Sequence, residues 1–520
     1  KKKFMIRLIS SLICILLYTN FENFEILANK EQPSIIWITA EDMSPSLGCF
    51  GDDDAISPNI DRFARESVKF TNVFASAPVC SPSRSCLIQG ALPPSMGTQH
   101  MRSGFPLPSS FIGFPALLRK NGYHTTNNVK TDYNSGNYQQ IIKESWDECS
   151  SSAHWRNRSD KKTPFFSVFN LMTSHQSRSM VWSYEKFKSD VQSKLAKHEI
   201  HDSSKVSLPP YYPDTPVTRR TMARFYDCVT AMDKEFGEIL RQLKEDGLSE
   251  NTIVFFFSDH GSGMPRHKRA LLDTGMHVPL LVRFPEKWQH LAPDKPGKET
   301  SRMVSFVDFA PSVLRITATP IPSHMQGQPV LEKNFQKKRK YVYGHRDRVD
   351  EVRDFARSVR DEKYLYIRNY MPHLGYNQPT AWPDIGEIRH EFYKLAKSGK
   401  MTPAQSHFAG PRRPIEELYD CESDPLNLSN LANSSNHQKV LKRMRNEHLR
   451  YALEIRDWGY IPEYEAWESS KDSSGWEVGK SKDVSWKKII EAADLVGRAK
   501  ETKFITNLKS QNETIRYWAT

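Results

Sequence analysis

Short apolar segments recur between residues 34 and 284, separated by polar turns and by helical patterns. Four of them have the length of a strand: 34–40 (SIIWITA), 165–171 (FFSVFNL), 252–258 (TIVFFFS) and 278–284 (VPLLVRF). Uninterrupted apolar runs rich in β-branched and aromatic residues are typical of strands that are buried on both faces. A Thr-rich segment at 122–130, which starts with Gly122, predicts a further strand.

Helical patterns lie between these strands. Residues 58–66, with Pro58 near the start, and residues 113–119 each predict a helix. Residues 217–246 are amphipathic and predict one or two helices that end near Gly247. Strands that alternate with helices predict an α/β fold, in which helices cover both faces of a mostly parallel central sheet. In such sheets, ligand sites lie at the carboxyl ends of the strands.

The pattern changes near residue 330. The segments RKYVYGHRDR and KYLYIRNY favour antiparallel strands, whereas 417–432 has the composition of a loop and 437–457 that of a helix. We therefore predict four regions: a signal peptide at 1–30, a large α/β domain at 31–330, a smaller C-terminal α+β subdomain with an antiparallel sheet at 331–465, and a peripheral tail at 466–520. The tail is expected to consist of a linker and one helix.

The first residues have the layout of a secretory signal peptide, in which the basic start KKKFMIR precedes the apolar run LISSLICILLY and a short polar stretch. The alternative is an N-terminal membrane anchor, although the apolar run is short for a membrane span. We expect export to the periplasm, the extracellular space or the lysosome, with no stable membrane insertion after removal of the signal.

Charge and cysteine content exclude several classes of protein. The net charge of +12 favours anionic partners, but no nucleic-acid-binding motif is visible, so no nucleic-acid partner is expected. Seven cysteines scattered over 520 residues do not form the framework of a disulfide-rich protein. Cys80 and Cys86 are too far apart in sequence for a zinc hook.

One cysteine has an unusual context, 78-PVCSPSRSCLIQG-90. Ser81 is suited to the N-cap of a helix and Pro82 to its first position. Cys80 would then lie at the positive end of the helix dipole, with Arg84 one turn further on. Such surroundings lower the pKa of a thiol and hold anions. A lone cysteine is more commonly a buried structural residue, so the context carries the functional interpretation.

Two acidic pairs, Glu41-Asp42 and Asp259-His260, directly follow the predicted strands 34–40 and 252–258. Ligands from two strand ends could hold one divalent cation between them. The alternative is that one of the pairs caps the next helix.

The segment CSPSRSCLIQG resembles the signature of the type I sulfatases, which belong to the alkaline-phosphatase-like superfamily. The similarity extends over most of residues 33–435 and includes PSIIWITAEDMSPSLGCFG, SPNIDRFARESVKFTNVFASAPVC, FFFSDHG and ELYDCESDPLNLSNLA. It implies a sulfuric ester hydrolase with a bound calcium ion. It also implies a nucleophile, formylglycine (3-oxoalanine), which the formylglycine-generating enzyme makes from a cysteine after translation.

The resemblance also implies roles for particular residues. Cys80 would supply the formylglycine, Arg84 would steady it, and Glu41, Asp42, Asp259 and His260 stand where the family binds calcium. Lys130 matches an active-site lysine, and Lys268 matches a basic residue that contacts the sulfate near the leaving oxygen. His175 matches a histidine of the family and, with Lys268, would protonate the leaving alcohol. Two positions depart from the family pattern: His260 replaces an asparagine, which leaves zinc or manganese conceivable, and Asp132 replaces a histidine that helps to deprotonate the hydrated aldehyde.

Several stretches are similar to the branch that includes heparan N-sulfatase (sulfamidase), among them HMRSGFP, MPRHKRALLDTG and GHRDRVDE. The candidates for contacts to a sugar or to a neighbouring anion are His100, Arg102, His267, Arg346 and Arg348, with surface solubility as the alternative for each. We expect a sulfated carbohydrate, either an O-sulfate or an N-sulfate. The rival functions are a phosphonate or phosphate-ester hydrolase of the same superfamily and a catalytically silent glycan-binding relative.

Overall fold

The computed structural model describes residues 31–332 and 338–520, so the predicted signal peptide lies outside the described residues. The strands in this part of the chain are β1 (Ser34–Ala40), β2 (Val68–Phe74), β3 (His124–Asn128), β4 (Glu148–Cys149), β5 (Phe165–Leu171), β6 (Thr252–Ser258), β7 (Leu280–Arg283), β8 (Glu299–Ser305), β9 (Val342–Arg346), β10 (Ala356–Arg360), β11 (Tyr364–Asn369) and β12 (Glu416–Asp420).

The α-helices of the same ranges are α1 (Pro58–Arg65), α2 (Cys80–Gln89), α3 (Pro93–Met96), α4 (Phe114–Lys120), α5 (Tyr138–Ser145), α6 (Tyr184–Asp190), α7 (Pro216–Glu245), α8 (Asp273–Met276), α9 (Phe309–Ile316), α10 (Glu387–Ser398), α11 (Pro403–Ala409), α12 (Gln438–Ile455), α13 (Glu463–Ser470), α14 (Gly475–Val478), α15 (Trp486–Asp494), α16 (Glu501–Leu508) and α17 (Glu513–Ala519). None of these helices combines the length and the apolar character that crossing a membrane requires.

The first eight strands form one sheet in the order β4-β3-β5-β1-β6-β7-β2-β8. All neighbouring strands are parallel except β7, which is antiparallel to both β6 and β2. The sheet therefore has the mostly parallel character that the sequence predicts. The strands predicted at 34–40, 165–171 and 252–258 have the same bounds in the structure.

Both faces of this sheet are buried, as its continuous apolar strands predict. Alternate residues of β1 enter different cores: Ile35 and Trp37 belong to one hydrophobic cluster, and Ile36 and Ile38 to another. The ring of Trp37 packs edge-on against Phe166 and Phe257 of the strands on either side. Because β1 is central, its carboxyl end lies between the ends of β5 and β6.

A second, four-stranded antiparallel sheet has the order β12-β11-β10-β9. It confirms the predicted antiparallel sheet after residue 330. The prediction of a loop over 417–432 is wrong at its start, because Glu416–Asp420 forms β12, whose Leu418 and Tyr419 are fully buried. The segment alternates too briefly, before the polar turn that follows it, to be distinguished from a loop by pattern alone.

The C-terminal segment is more structured than a linker and one helix. Helices α13 to α17 follow one another from residue 463 to 519. A cluster of buried side chains that includes Trp458, Trp486 and Trp518 joins α13, α15 and α17 to the preceding residues. The indole of Trp518 donates a hydrogen bond to Tyr460 O at 2.8 Å. The boundaries predicted at residues 330 and 465 stay a prediction.

Candidate active site

The sheet register brings the two acidic pairs together. Ala40, the last residue of β1, is paired with Leu171 on one side and with Ser258 on the other. Glu41-Asp42 and Asp259-His260 therefore leave the sheet side by side. The amide of Asp42 donates a hydrogen bond to Asp259 Oδ1 at 3.0 Å, and Asp42 has a left-handed backbone, with φ of 53°. This close approach favours a shared cation over separate helix caps.

Helix α2 points its first residue at these carboxylates. All ten of its residues are buried, and Ser83 Oγ donates to Asp259 O at 2.6 Å, which fixes the helix against the end of β6. The helix begins two residues earlier than predicted: Val79, not Ser81, is the N-cap, and Cys80, not Pro82, is the first helical residue. Cys80 therefore lies within the first turn of the helix and not just before it.

The thiol of Cys80 is surrounded by charged groups. Its Sγ lies 3.2 Å from His260 Nε2, 3.2 Å from Lys268 Nζ and 3.7 Å from Asp42 Oδ1. Burial raises the pKa of this thiol, but the ammonium groups of Lys130 and Lys268 outweigh burial, and the pKa is lowered. By contrast, burial raises the pKa of Cys86, on the same helix, to about 12. Electrostatics therefore single out Cys80 as the reactive cysteine of this helix.

Two lysines are held in place by the acidic pair of β1. Lys268 Nζ lies 2.8 Å from both carboxylate oxygens of Asp42, and Lys130 Nζ is hydrogen-bonded to Glu41. Burial lowers the pKa of each lysine, but Asp42 and Cys80 raise that of Lys268, and Cys80 and Glu41 raise that of Lys130 well above its ordinary value. Both side chains are therefore cationic near neutral pH.

Arg84 is buried and connects the segments that carry Cys80, Glu41 and Lys130. Its guanidinium donates to Glu41 Oε1 at 2.8 Å, to Thr131 O at 3.1 Å and to Lys130 O at 3.0 Å, and it also bonds the amide oxygen of Asn170. The planar, five-donor group joins helix α2, the end of β1 and the loop after β3. Its position supports the predicted role of steadying the residue at position 80.

Four side chains are placed to hold a metal ion. One ligand atom from each of Asp42, Cys80, Asp259 and His260 lies within 4.8 Å of the others, and all four residues are buried. Among the described residues, Asp259 Oδ2 is a buried oxygen without a hydrogen-bond donor. His260 Nδ1 lies 2.8 Å from Gly261 O, so in the neutral ring Nδ1 donates and the Nε2 lone pair faces the cluster. These residues fit a divalent cation.

Glu41 departs from the predicted ligand set. Its two oxygens are taken by Arg84 and Lys130, and it is not part of the four-residue cluster.

The electrostatics of the four-residue cluster agree with a bound cation. Burial would lower the pKa of His260, but Asp259, Cys80 and Asp42 raise it to about 10. The carboxyl-rich pocket therefore attracts positive charge.

His175 forms one wall of the site. Its Nε2 lies 3.8 Å from Asp42 Oδ2, and its Nδ1 lies 2.9 Å from Ser177 Oγ. Burial lowers the pKa of this histidine to about 4, against the opposing effect of Asp42, so the ring is neutral near pH 7. A neutral ring in this place can donate one hydrogen bond to a bound group.

The two departures from the family pattern both lie close to residue 80. Asp132, with a left-handed φ of 54°, accepts a hydrogen bond from Ser81 Oγ at 3.0 Å. His260 contacts Cys80 directly. The chain therefore places the carboxylate of Asp132 beside helix α2 and the imidazole of His260 at the Cys80 thiol. The family pattern has a histidine in place of Asp132 and an asparagine in place of His260.

All these groups face or underlie one cavity of about 930 Å³. Its lining includes the predicted residues Cys80, Arg102, Lys130, Asp132, His175 and Lys268. It also includes Tyr138, Arg269, Asp350 and Trp382, which sequence reasoning did not select. Arg269 is adjacent to Lys268 in the basic run RHKR, and Asp350 lies in the stretch GHRDRVDE, so each had a signal in the sequence; no motif indicated Trp382.

Four predicted substrate-binding residues do not line this cavity, so their assignment is corrected. His267 lies between Tyr211 OH at 2.9 Å and Ser262 Oγ at 2.6 Å. Arg346 is buried 3.5 Å from Asp354. His100 and Arg348 contact each other through the Arg348 amide, at 3.3 Å. These side chains support the structure around the cavity and do not face it.

A parallel sheet with a cationic, metal-competent cavity at its carboxyl edge defines a hydrolase of anionic esters. Residues 33–319 match the family model described as Sulfatase, and residues 264–396 match the model described as N-sulphoglucosamine sulphohydrolase, C-terminal. The chain belongs to the sulfatase family, and its activity is that of a sulfuric ester hydrolase. The resemblance predicted from the sequence is thereby confirmed.

Individual relatives agree with the assignment to the sulfatase family. The chain is 35% identical to an ulvan-active sulfatase of Formosa agariphila, covering 84% of this chain and 77% of that protein. It is 24% identical to human N-sulphoglucosamine sulphohydrolase, with 84% and 93% covered. An enzyme solved with its substrate D-glucosamine-2-N,6-O-disulfate shares the fold, with a TM-score of 0.57, 18% identity, and 82% and 99% of the two chains covered.

Proposed function

We propose that this protein is an exported sulfatase that removes an O-sulfate or N-sulfate group from a sulfated carbohydrate. Its nucleophile would be formylglycine, which the formylglycine-generating enzyme makes from Cys80. One divalent metal ion would lie beside it, with calcium as the first candidate. The observation that carries the proposal is the position of Cys80: it begins a buried helix and faces two ammonium groups and a carboxylate cluster in one cavity.

The cations of the cavity match the charge of the substrate. A sulfate ester is anionic, and further negative charge develops on the bridging oxygen as the S–O bond breaks. Preorganised positive groups lower the barrier of such a step. Lys130 and Lys268 are protonated, held by Glu41 and Asp42, and line the cavity beside residue 80. They would bind and orient the sulfuryl group.

The leaving oxygen needs a proton. Burial keeps His175 neutral near pH 7, whereas the pKa of Lys268 is raised. Lys268 therefore holds the proton for transfer, and His175 supplies a hydrogen bond that orients the leaving group. The pair would act together, as the family resemblance implies, with Lys268 as the source of the proton.

Two groups would complete the site. A divalent metal, held by Asp42, Asp259 and His260, supplies positive charge to the sulfate oxygens. Formylglycine, when hydrated, supplies one hydroxyl as nucleophile and a second that allows sulfate to be released, a route that a cysteine or serine lacks. Arg84 fixes the backbone and Glu41 behind both groups.

Two features support a carbohydrate substrate. The relatives named above are an ulvan-active sulfatase and an N-sulphoglucosamine sulphohydrolase, which act on sulfated saccharides. The rings of Tyr138 and Trp382 line the cavity and are 42% and 41% exposed. Exposed aromatic faces at a cavity are suited to pack against the apolar faces of sugar rings.

The test combines mass spectrometry with turnover. The protein is produced together with a formylglycine-generating enzyme, and the peptide that spans residue 80 is examined for replacement of the thiol by an aldehyde. Hydrolysis of 4-nitrophenyl sulfate is compared with that of 4-nitrophenyl phosphate. We expect the aldehyde at position 80, a preference for the sulfate, and a loss of at least about a thousandfold in Cys80→Ala.

Cys86→Ala is the matched control, because Cys86 lies on the same buried helix but outside the cavity. It should retain the activity of the unaltered protein. A protein that carries the aldehyde yet prefers the phosphate ester would support the phosphonate or phosphate hydrolase instead. A Cys80 that remains a thiol, with no turnover of either ester, would support a silent glycan-binding relative.

A further inference from the structure

We infer that Arg102 and Arg269, joined by Asp350 at the outer part of the cavity, form a second anion-binding site. This site would select saccharides that carry another anionic group, a carboxylate or a second sulfate, beside the sulfate that is removed. The inference rests on the proposed sulfatase activity and adds to it a class of substrate. We call these three residues the outer clamp.

The geometry of the outer clamp leaves hydrogen-bond donors for a ligand. Arg102 Nη1 lies 3.1 Å from Asp350 Oδ1, and Arg269 Nη2 lies 3.3 Å from Asp350 Oδ2. A guanidinium has five N–H donors; Asp350 takes one from each arginine, and Gln176 Oε1 takes one more from Arg269 Nη1, at 3.1 Å. Among the described residues, Arg269 Nε is buried without a hydrogen-bond partner. All three residues line the cavity that contains Cys80.

The charge of the outer clamp is unbalanced. Two guanidinium groups share one carboxylate, which leaves one positive charge. The Arg102 side chain is 63% exposed, so its ion pair contributes little to folding. It remains accessible to a ligand, while Asp350, with a side chain that is 18% exposed, keeps the two cations close together. A planar, two-armed cationic group is well suited to bind carboxylate or sulfate oxygens.

The backbone at the outer clamp is unusual. Arg102, Arg269 and Asp350 have φ angles of 54°, 76° and 51°. Residues other than glycine rarely adopt this left-handed conformation, and arginine gains no local hydrogen bond from it. Three such residues from three separate segments meet at a single carboxylate. Strained backbone that is kept at a cavity is characteristic of ligand-binding positions.

Surrounding contacts hold the outer clamp in place. Asp350 lies in a tight turn closed by reciprocal hydrogen bonds between Val349 and Val352, at 3.1 and 3.0 Å. Arg348 donates to Asp350 O at 2.9 Å and makes two bonds of 2.7 Å to Glu463. The amide of Met101 donates to Arg348 O at 2.9 Å, which ties the Arg102 segment to the same turn. Arg348 is therefore a positioning residue for the outer clamp.

The test measures selectivity for the second anion. Turnover of 4-nitrophenyl sulfate is the reporter, and three disaccharides compete with it: a monosulfated disaccharide with a uronate, the same compound with the carboxyl group reduced to an alcohol, and the reduced compound with a second sulfate. We expect at least one of the two doubly anionic compounds to inhibit about tenfold more strongly than the reduced one. The stronger of the two identifies the anion.

Variants assign that selectivity to the outer clamp. Arg102→Gln should reduce the tenfold ratio to within about twofold, and Arg102→Lys, which keeps the charge, should retain part of it. Arg156→Gln is the matched control, because Arg156 is an exposed arginine paired with Asp246 at 2.7 Å and does not line the cavity. Its ratio should equal that of the unaltered protein.

A failure of this inference can be distinguished from a failure of the proposed sulfatase activity. If the unaltered protein does not hydrolyse 4-nitrophenyl sulfate, the proposed function is wrong. If it does, but all three disaccharides inhibit equally, the outer clamp does not bind a second anion. Equal weakening of every disaccharide by Arg102→Gln would also overturn the inference, since it would show a structural effect without selectivity.

Discussion

At the scale of single residues, Asp259 is the least satisfied group of the site. Its Oδ1 accepts the Asp42 amide, but its Oδ2 is buried, receives no hydrogen bond within the described ranges, and has Arg84 Nη1 as its near cation at 3.8 Å. A buried carboxylate oxygen without a donor is costly to the folded state. A divalent cation would remove that cost, so metal binding should be coupled to stability.

This coupling gives a prediction on metal removal. Chelation with EDTA should lower the melting temperature of the unaltered protein, and added Ca²⁺ should restore it, by a few degrees or more, on the order expected for a ligand well above its dissociation constant. Asp259→Asn should abolish the dependence on Ca²⁺, whereas Asp52→Asn, at a half-buried aspartate outside the cluster, should keep it. A melting temperature that is indifferent to Ca²⁺ would contradict a calcium site, and the same scan with Zn²⁺ and Mn²⁺ identifies the metal.

Single residues also show what the sequence could reveal. Glu41, Asp42, Asp259 and His260 were found because they end the most apolar strands, where strand period and parallel topology dictate their meeting point. Arg269 and Asp350 were not found, because their approach depends on left-handed turns of three loops, and no periodic pattern encodes such turns. Loop geometry thus limits what can be predicted, even where the central strands of the sheet are predicted correctly.

At the scale of elements, helix α1 depends on α7 for its N-terminus. The side chain of its N-cap residue, Ser57, accepts no hydrogen bond from a helix amide and instead donates to Asp61 Oδ1 at 3.1 Å. The carboxylate of Asp233 on α7 accepts from the Asn59 and Ile60 amides, at 3.2 and 2.8 Å. It also accepts from the Asn59 side chain at 2.8 Å. The carboxylate of Asp233, from a helix distant in sequence, therefore replaces the side chain of a local N-cap residue.

Asp233→Ala tests this dependence. It leaves two amides without their acceptor and should lower the free energy of unfolding by about 1–3 kcal/mol. Urea denaturation followed by tryptophan fluorescence measures the change. The control is Asp214→Ala, which removes an exposed aspartate that pairs with Arg219 and should alter stability by less than about 0.5 kcal/mol. Equal effects of the two substitutions would refute the cross-helix cap.

Elements differ in how well the sequence predicts them. The strands β1, β5 and β6 are buried on both faces and were predicted to the residue, since their apolar runs are uninterrupted. Strand β2 (VKFTNVF) was missed, because its Lys69, Thr71 and Asn72 reach partly exposed positions between β7 and β8. Helix α7 was predicted with an uncertain number of segments, and its unbroken run from Pro216 to Glu245 shows that the apolar stripe continues across both halves.

At the scale of the whole molecule, neutral histidines are buried in widely separated places. His267 lies beneath the cavity, His100 lies beside the Arg348 turn, and His448 is enclosed by the hydroxyls of Tyr370 and Tyr460 at 2.8 and 3.1 Å. Burial lowers the pKa of His267 and of His448 to about 3, and that of His100 to about 4, from an ordinary value of 6.5. Each of these rings is therefore mainly neutral in the folded state near pH 5.

Because the folded pKa values lie below the unfolded value of 6.5, the unfolded chain binds more protons, and stability must fall as the pH drops below 6.5. Each histidine should contribute a loss of about 1.4 kcal/mol per pH unit, so three of them give up to about 6 kcal/mol between pH 6.5 and pH 5. The carboxylate of Glu417, whose pKa is lowered to about 2 by its contacts with His407 and two tyrosines against the effect of burial, loses its contribution only below its ordinary value of 4.5. Urea midpoints measured at pH 7.5, 6.5 and 5 should therefore fall only slightly across the first interval and much further across the second. His267→Gln and His448→Gln should each reduce that fall, by up to about 2 kcal/mol between pH 6.5 and pH 5. A midpoint that does not change down to pH 5 would show that these rings are protonated in the folded protein.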